Sequence, residues 1–288
     1  MKLIEKKIAP SNKSFTVYRN RTPCLAEEWH YHQEYELIYI LEGKGLRFIG
    51  DDVREFSGGE LALIGPNLPH LWQNSLEYYD NIDLNSDVIV VQFNHNFLGE
   101  NFFNIHEMAV LKKLLEKSKG GLEFLNHQLK LNVAKQLMQL IELSSFPSVR
   151  TLLEILEILA LTSEVHPIAS TSFQVNPKSN DSVRINKIYQ YVLNNYQEHI
   201  TLEEVADIAN LGVSPFCRFF KKATNKSFLE FLNEVRIGHA CKLLIEGSQS
   251  IGQIVYSCGF NSQTHFNKQF KKIKKRSPVE FRRYFMIQ

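Results

Sequence analysis

The sequence lacks several patterns by which membrane proteins and disulfide-rich or zinc-binding modules are recognised. No stretch offers about 18 uninterrupted apolar residues, so no membrane span is predicted. The opening residues MKLIEKKIAP have no apolar run of the signal-peptide kind, so a cytoplasmic location is expected. The four cysteines form no CxxC pair and have no zinc-module spacing, so reduced thiols are the expected state: Cys24, Cys217, Cys241 and Cys258.

Catalytic signatures are also missing. No glycine-rich loop is placed to cradle a phosphate, and no nucleophile is paired with a base. The glycines of GKG and SGG fit hairpin turns better. We therefore predict that the chain is not an enzyme.

Charge is distributed unevenly along the chain, although the net charge is only +2. Residues 182–288 hold 16 Lys and Arg against 8 Asp and Glu, whereas residues 1–181 hold 17 against 23. A basic C-terminal third on an acidic remainder suggests a polyanionic partner for that end.

The apolar pattern changes its period along the chain. From about residue 15 to 93 it alternates, which predicts short antiparallel strands in FTVYRN, YELIYIL, GLRFIG, ELALIG and DVIVVQF. Helical periods follow in IHEMAVLKKLLEK, LNHQLKLNVAKQLMQLIELSS and VRTLLEILEILALTSEV. We predict an α+β multidomain protein: a β-barrel domain with flanking helices over 1–164, a linker over 165–181, and an all-helical domain over 182–288.

The helical domain contains one pattern twice. FCRFFKK and then SFLEF recur fifty residues later as FNKQFKK and SPVEF. Asn210 and Gly259 occupy equivalent places between the first and second helix of each copy, and both residue types tolerate a left-handed backbone. Ser262 can cap the second helix of the second copy, and Gly212 is its poorer equivalent.

Each second helix has an apolar and a polar side. Phe216 and Phe220, like Phe266 and Phe270, are four residues apart and should pack into the core. The opposite side carries hydrogen-bonding and cationic groups suited to base edges and phosphates. This side comprises Ser214, Cys217, Arg218 and Lys221, then Gln263, Thr264, His265, Asn267 and Lys268. Two helical hairpins with solvated lysine faces are the alternative, which the duplication and the charge disfavour.

Two helix-turn-helix units, at about 200–223 and 250–273, are therefore predicted. In LEEVADIANLGVSPFCRFFKK, VRIGHACKLL and IVYSCGFNSQTHFNKQFKKIKKRSPVEFRRYF the chain resembles the AraC/XylS transcription regulators. The resemblance implies a joining helix from about residue 228 to 245 and binding to successive major grooves about 34 Å apart. It implies DNA contacts from the residues of that polar side and from Lys222, Lys271 and Lys272. Ser214 and Cys217 are smaller than the family's usual residues, so the first unit should specify fewer base pairs.

The N-terminal region resembles the cupin barrel. His30, His32 and Glu36 match its first motif with Gly43, and the stretch from Gly59 to Asn74 resembles its second, with one residue missing before His70. In metal cupins the equivalent residues bind a metal ion, and imidazole with carboxylate suits Zn, Fe, Ni or Mn.

Two interpretations of this cluster remain open. A divalent metal would be held by His30, His32, Glu36 and His70. A metal-free pocket for a small organic effector would be lined by His30, His32, Glu36, Tyr39, His70 and Trp72. We favour the effector, with no required cofactor, because the second motif is imperfect.

The helix VRTLLEILEILAL has apolar residues on more than one side, and with the family resemblance it favours a homodimer. The expected protein is a cytoplasmic transcription regulator whose binding to double-stranded DNA, or whose activation, responds to a small molecule in the barrel. RNA polymerase is an expected partner. The rival interpretations are a metal-dependent cupin enzyme with a nucleic-acid-binding tail and an adaptor with an empty barrel.

Overall fold

The computed structural model of the chain describes residues 4–6, 13–25, 29–75, 78, 83–170, 173, 180–224 and 226–286. The chain divides into two compact units, of which one holds the bulk of residues 4–171 and the other holds residues 172–288. None of the helices in these described ranges combines the length and hydrophobicity needed to cross a membrane.

Two sheets form the N-terminal unit. The first has the strand order β1-β3-β8-β5-β6 and the second the order β11-β10-β7-β4-β9-β2. The strands are β1 Ile4–Glu5, β2 Phe15–Thr22, β3 His30–Tyr31, β4 Tyr35–Glu42, β5 Lys44–Ile49, β6 Asp52–Ser57, β7 Leu61–Ile64, β8 His70–Asn74, β9 Ser86–Phe93, β10 Leu122–Phe124 and β11 Val165–Pro167.

The predicted strands are confirmed as β2, β4, β5, β7 and β9. Antiparallel pairing places Glu36 of β4 opposite Gln92 of β9 and Ile64 of β7. Side chains of the two sheets meet between them, since Glu36 contacts His70 of β8, and Arg47 of β5 contacts Glu123 of β10. The result is the cupin-like antiparallel barrel predicted from the sequence.

Helices cover the other side of the second sheet. They are α1 Ala109–Lys117, α2 His127–Glu142 and α3 Ser145–Leu161. Alternate residues of the strands, such as Leu37 and Val91, pack in one buried core with Leu114, Leu137 and Leu156 of these helices. Because side chains alternate across a strand, the same strands send their other residues into the barrel.

The prediction of a linker from residue 165 is wrong at its start. Val165–Pro167 forms β11, which pairs antiparallel with β10 in the barrel sheet. Ile168 and Ala169 are buried, and Ser170 donates its backbone N–H to Asp51 at 2.9 Å. The polar composition of this segment concealed a strand, because its partner supplies the hydrogen bonds. At the other end, the next helix already begins at Asn180.

The C-terminal unit is helical. Its helices are α4 Asn180–Asn195, α5 Leu202–Ile208, α6 Val213–Thr224, α7 Phe228–Glu246, α8 Ile251–Ser257, α9 Gln263–Lys274 and α10 Pro278–Met286. The long helix α7 serves two cores. Phe231 stacks on Tyr189 of α4 at 4.3 Å between ring centroids. Further along the same helix, Ile237 and Leu244 pack with Phe266 and Phe270 of α9.

Candidate nucleic-acid interface and barrel interior

The first helix-turn-helix unit comprises α5 and α6. Its start is fixed by a capping box, in which the Thr201 hydroxyl accepts from the Glu204 backbone N–H and the Glu204 carboxylate accepts from that of Thr201. Its turn places Asn210 at φ +53°, and Leu211 then donates its N–H to the carbonyl of Ala206 at 2.9 Å. The left-handed turn predicted at Asn210 is confirmed.

The second unit, α8 and α9, repeats these devices. Ser250 and Gln253 form the capping box of α8. Gly259 has φ +77°, and Phe260 donates to the carbonyl of Val255 at 3.1 Å, the equivalent of the Leu211 bond. The Ser262 hydroxyl accepts from the His265 N–H and caps α9, as its position predicted.

The helices that follow the units, α7 and α10, also begin alike. Ser227 forms a reciprocal pair of hydrogen bonds with Glu230, and Ser277 forms the same pair with Glu280. The duplication recognised in the sequence is therefore a duplication of local structure at both ends of each unit.

The apolar side of the second helices lies in the core. Phe216 and Phe220 of α6 and Phe266 and Phe270 of α9 each have 0% exposed surface. The ring centroids within each pair lie 5.8 and 5.6 Å apart. This burial fixes which side of α6 and α9 faces solvent.

The opposite side, which we call the polar row, is solvent-exposed at every residue predicted from the sequence. On α6 it comprises Ser214, Cys217, Arg218, Lys221 and Lys222. On α9 it comprises Gln263, Thr264, His265, Asn267, Lys268, Lys271 and Lys272. The two rows present hydrogen-bonding side chains and cations to solvent, which is what a base edge and a phosphate need from a protein.

One lysine of the rows has an intramolecular partner. The Lys272 ammonium lies 3.2 Å from the carboxylate of Glu230 on α7. Hydrogen bonds from the Ser227 backbone and hydroxyl, with a contribution from Lys272, lower the pKa of Glu230 to about 2. A phosphate that binds Lys272 would compete with this carboxylate.

In the barrel, the predicted histidines and glutamate are brought together. The ring centroids of His30 and His32 lie 4.3 and 5.1 Å from that of His70. Glu36 accepts hydrogen bonds from His32 at 3.1 Å and from Gln92 at 2.7 Å. Burial opposes the charge of Glu36, but these bonds and the neighbouring histidines outweigh it and lower the pKa of that carboxyl.

His70 leaves one ring nitrogen open. Its Nδ1 lies 2.7 Å from the Leu68 carbonyl, which can only accept, so Nδ1 carries the proton. Burial lowers the pKa of His70 to about 3, so its Nε2 keeps a lone pair. That atom is buried, has no hydrogen-bond partner in the described part of the chain, and lies 3.6 Å from Glu36 Oε1.

The donor set fits a divalent transition metal. One nitrogen of each of His30, His32 and His70 lies within 4.8 Å of the others, and imidazole nitrogen is a common ligand for such ions. The open Nε2 of His70 is the atom such an ion would satisfy. The same atom would also accept a hydrogen bond from a hydroxyl of an organic molecule.

The prediction that Tyr39 lines the pocket is wrong. Tyr39 lies three residues after Glu36 on β4, so it points to the opposite side of the strand. It packs in the core between the sheet and the helices, and burial raises its pKa. Trp72 does face the barrel interior, where its ring lies 5.9 Å from that of His70.

A second polar cluster in the barrel was not predicted from the sequence. Arg47 is fully buried, donates to Glu123 at 2.6 Å, and has its Nε 3.4 Å from Glu60. Trp72 donates to the same Glu60 at 3.4 Å, and burial raises the pKa of Glu60 to about 7. The available signal was the arginine itself, a charge at an inward position of the apolar strand GLRFI.

Comparison with known proteins places both regions in described families. Residues 205–284 match the family model of a helix-turn-helix domain, and residues 23–77 match that of a cupin domain. The HTH-type transcriptional activator RhaS of Enterobacter sp. (strain 638) is 24% identical over 274 residues, which cover 95% of this chain and 94% of that protein.

Two solved structures are also similar to parts or most of the chain. ToxT from Vibrio cholerae is 16% identical and covers 94% of this chain and 98% of its own, with a TM-score of 0.37. The C-terminal domain of AraT, a response regulator from Geobacillus stearothermophilus, is 28% identical and covers 35% of this chain and 84% of its own, with a TM-score of 0.34.

A cupin-type barrel that precedes two helix-turn-helix units joined by one long helix defines a DNA-binding transcription regulator. In these features the chain is similar to the AraC/XylS family of transcription regulators.

Proposed function

We propose that the polar rows of α6 and α9 enter successive major grooves of one DNA duplex. Arg218 and Lys268, with the smaller polar side chains beside them, contact base edges. Lys221, Lys222, Lys271 and Lys272 contact phosphates. The observation that carries this proposal is that both rows are exposed while the phenylalanines on the opposite sides of the same helices are wholly buried.

The test begins with duplexes selected from random DNA by the full chain. Replacing both Arg218 and Lys268 by alanine should abolish most discrimination between a selected duplex and a scrambled one. The matched control is Lys187→Ala, which removes an exposed charge from α4 and should leave that discrimination unchanged. Equal losses in the control and the double variant would contradict the assignment of the rows.

We further propose that the barrel binds a small organic effector that alters DNA binding or transcription. The supporting observations are the open Nε2 of His70 and the buried Arg47, whose Nη1 has no hydrogen-bond partner among the described residues. A ligand can shift the equilibrium between DNA-bound and DNA-free protein only if it has different affinities for these two states. Small molecules that raise the melting temperature should also change the affinity for a selected duplex, and should do neither for the His70→Phe variant.

A divalent metal at the same cluster is the second candidate, favoured by the His70 nitrogen. His30, His32 and His70 would hold it, with Glu36 beside them. Metal content of the purified chain, measured by mass spectrometry with the His70→Phe variant as control, separates the candidates. Stoichiometric metal lost in the variant would favour the ion, and a metal-free wild-type chain that still responds to the ligand would favour the organic effector.

Oligomeric state, location and the transcription machinery complete the proposed function. We propose a homodimer, since Phe146 and Leu161 at the two ends of α3 are 73% and 68% exposed. We also propose a cytoplasmic location and the absence of catalysis. Because the RhaS relative is named a transcriptional activator, we further propose that this chain activates transcription through contact with RNA polymerase. Sedimentation at several concentrations tests the dimer, and transcription with purified polymerase from a promoter that carries the selected sequence tests activation.

A further inference from the structure

The joining helix α7 carries an arginine that contacts the connection before the first helix-turn-helix unit and the turn of the second. Arg236 donates from Nε to the carbonyl of Tyr196 and from Nη2 to the carbonyl of Glu198, both at 2.8 Å. These carbonyls belong to the short connection between α4 and α5. The connection leads directly into the first helix of the first unit.

The same guanidinium reaches the turn of the second unit. Its Cζ lies 5.7 Å from the centroid of the Phe260 ring, within the range of a cation–π contact. Phe260 is buried and directly follows Gly259. One side chain thus bridges the connection before α5 and the turn between α8 and α9.

Gly259 brings the two segments into backbone contact. A Cβ at this position would lie 2.4 Å from the Tyr196 carbonyl oxygen and 2.9 Å from that of Gln197. Real Cβ atoms do not approach an oxygen so closely, so only glycine fits here. The turn of the second unit therefore lies directly against the connection of the first.

A stacked ring pair holds the same connection from the next turn of α7. His239, three residues after Arg236, stacks on Tyr196 with ring centroids 3.9 Å apart and an angle of 4° between the planes. Residues three apart share one side of a helix. Arg236 and His239 together fix the 196–198 segment to α7 and to the second turn.

We propose that Arg236 is a positioning residue that fixes the orientation of α9 relative to α6, so that the two polar rows match one spacing of half-sites on DNA. A module with a fixed orientation loses little conformational freedom on binding both grooves. The same rigidity penalises DNA in which the spacing differs. This inference rests on the proposed DNA contacts but makes a separate claim about spacing.

The experiment measures how the full chain tolerates altered spacing. The probes are a duplex selected by the wild-type chain, the same duplex with one or two base pairs inserted between its half-sites, and a duplex with one half-site scrambled. The variants are Arg236→Gln and Arg236→Lys. Arg184→Gln, which removes the same charge from α4, is the matched control.

Arg236→Gln should bind the selected duplex about tenfold more weakly, since it loses two charge-assisted hydrogen bonds that organise the site. The loss of affinity caused by an inserted base pair should be severalfold smaller in this variant than in the wild type. Its affinity for the duplex with one scrambled half-site should not change. Arg236→Lys should resemble Arg236→Gln, because one ammonium cannot reproduce a planar fork on two carbonyls and a ring. Arg184→Gln should behave like the wild type.

Three outcomes would overturn the proposal. An unchanged spacing penalty would show that α7 alone sets the orientation. Wild-type DNA affinity in Arg236→Lys, together with a weaker salt dependence of binding in Arg236→Gln, would indicate that Arg236 contacts a phosphate. Equal weakening on every probe, including the half-site, would mean general destabilisation.

Should Arg236→Gln fail to fold, Phe260→Leu removes the ring but keeps an apolar side chain in the core, and it should narrow the spacing penalty to a smaller degree. If no variant or wild-type chain selects any sequence, the proposed DNA contacts fail instead, which distinguishes the two claims.

Discussion

The two helix-turn-helix units have the same local architecture and different surroundings. Each has a capping box at its start, a left-handed residue in its turn and a pair of buried phenylalanines. The turn of the first unit, at Asn210, is exposed, whereas that of the second, at Gly259, lies against the 196–198 connection. Local structure was thus retained in both copies, while each turn is fitted to its own neighbours.

The polar rows differ in a corresponding way. The first row has the small side chains Ser214 and Cys217 around Arg218, whereas the second offers Gln263, Asn267 and Lys268 with longer hydrogen-bonding groups. Side chains of different reach on equivalent helices should read different numbers of bases. The comparison predicts equal structural roles for the repeated phenylalanines and unequal roles for the turns and rows.

The largest effect is expected in the cores. Phe216→Ala and Phe266→Ala should each cost about 3–5 kcal/mol of unfolding free energy, since each removes a wholly buried ring. Hydrogen exchange of the amides in α5–α6 and in α8–α9 measures each unit separately. Tyr256→Ala is the control, because Tyr256 is 68% exposed and its loss should cost little. A small effect from only one phenylalanine would break the structural equivalence.

The second largest effect on stability is expected at the turns of the two units. Gly259→Asn should lower the free energy of unfolding by about 1–3 kcal/mol or more. Asparagine tolerates the positive φ, but its Cβ would overlap the Tyr196 carbonyl. The reciprocal change Asn210→Gly should alter stability by a few tenths of a kcal/mol, since this exposed turn accepts either residue. Thermal unfolding of the C-terminal unit followed by circular dichroism compares them. Similar effects of the two changes would mean that φ alone determines these positions.

Much of this comparison could be predicted from the sequence, because it depends on local rules. A positive φ demands Asn or Gly, and a four-residue spacing places Phe216 and Phe220 on one side of a helix. Tyr39 was misplaced although strand alternation was available: an odd separation from Glu36 puts it on the other side of β4.

Other features depend on partners that are distant in the sequence. Arg236 meets the carbonyl of Tyr196 forty residues away, and neither residue type announces such a contact. The strand Val165–Pro167 forms only because β10 supplies its hydrogen bonds. Tertiary contacts of this kind have no periodic signal in one sequence.

At the proposed DNA interface, Arg218→Ala and Lys268→Ala should each weaken binding to a selected duplex by about 1–3 kcal/mol and relax the base preference in one half-site only. Selection from random DNA by each variant shows which half-site loses its preference. The half-site that Arg218 affects should also be the less specific one in the wild-type selection, because its neighbours are short. Relaxed preference in both half-sites from one change would contradict the assignment of one row to each groove.

The smallest effects are expected at the lysines proposed to contact phosphates. Lys221→Ala should lower affinity for all sequences alike and reduce the slope of log affinity against log salt by about 0.9, as expected for one lost phosphate contact. Lys272→Ala should weaken binding less, because the free protein already pairs this lysine with Glu230 at 3.2 Å, and that pair must break before a phosphate binds. Glu230→Gln removes the competing charge and should therefore tighten binding slightly. A Lys272 effect larger than that of Lys221, or weaker binding by Glu230→Gln at unchanged stability, would mean that the ion pair itself presents the lysine to the DNA.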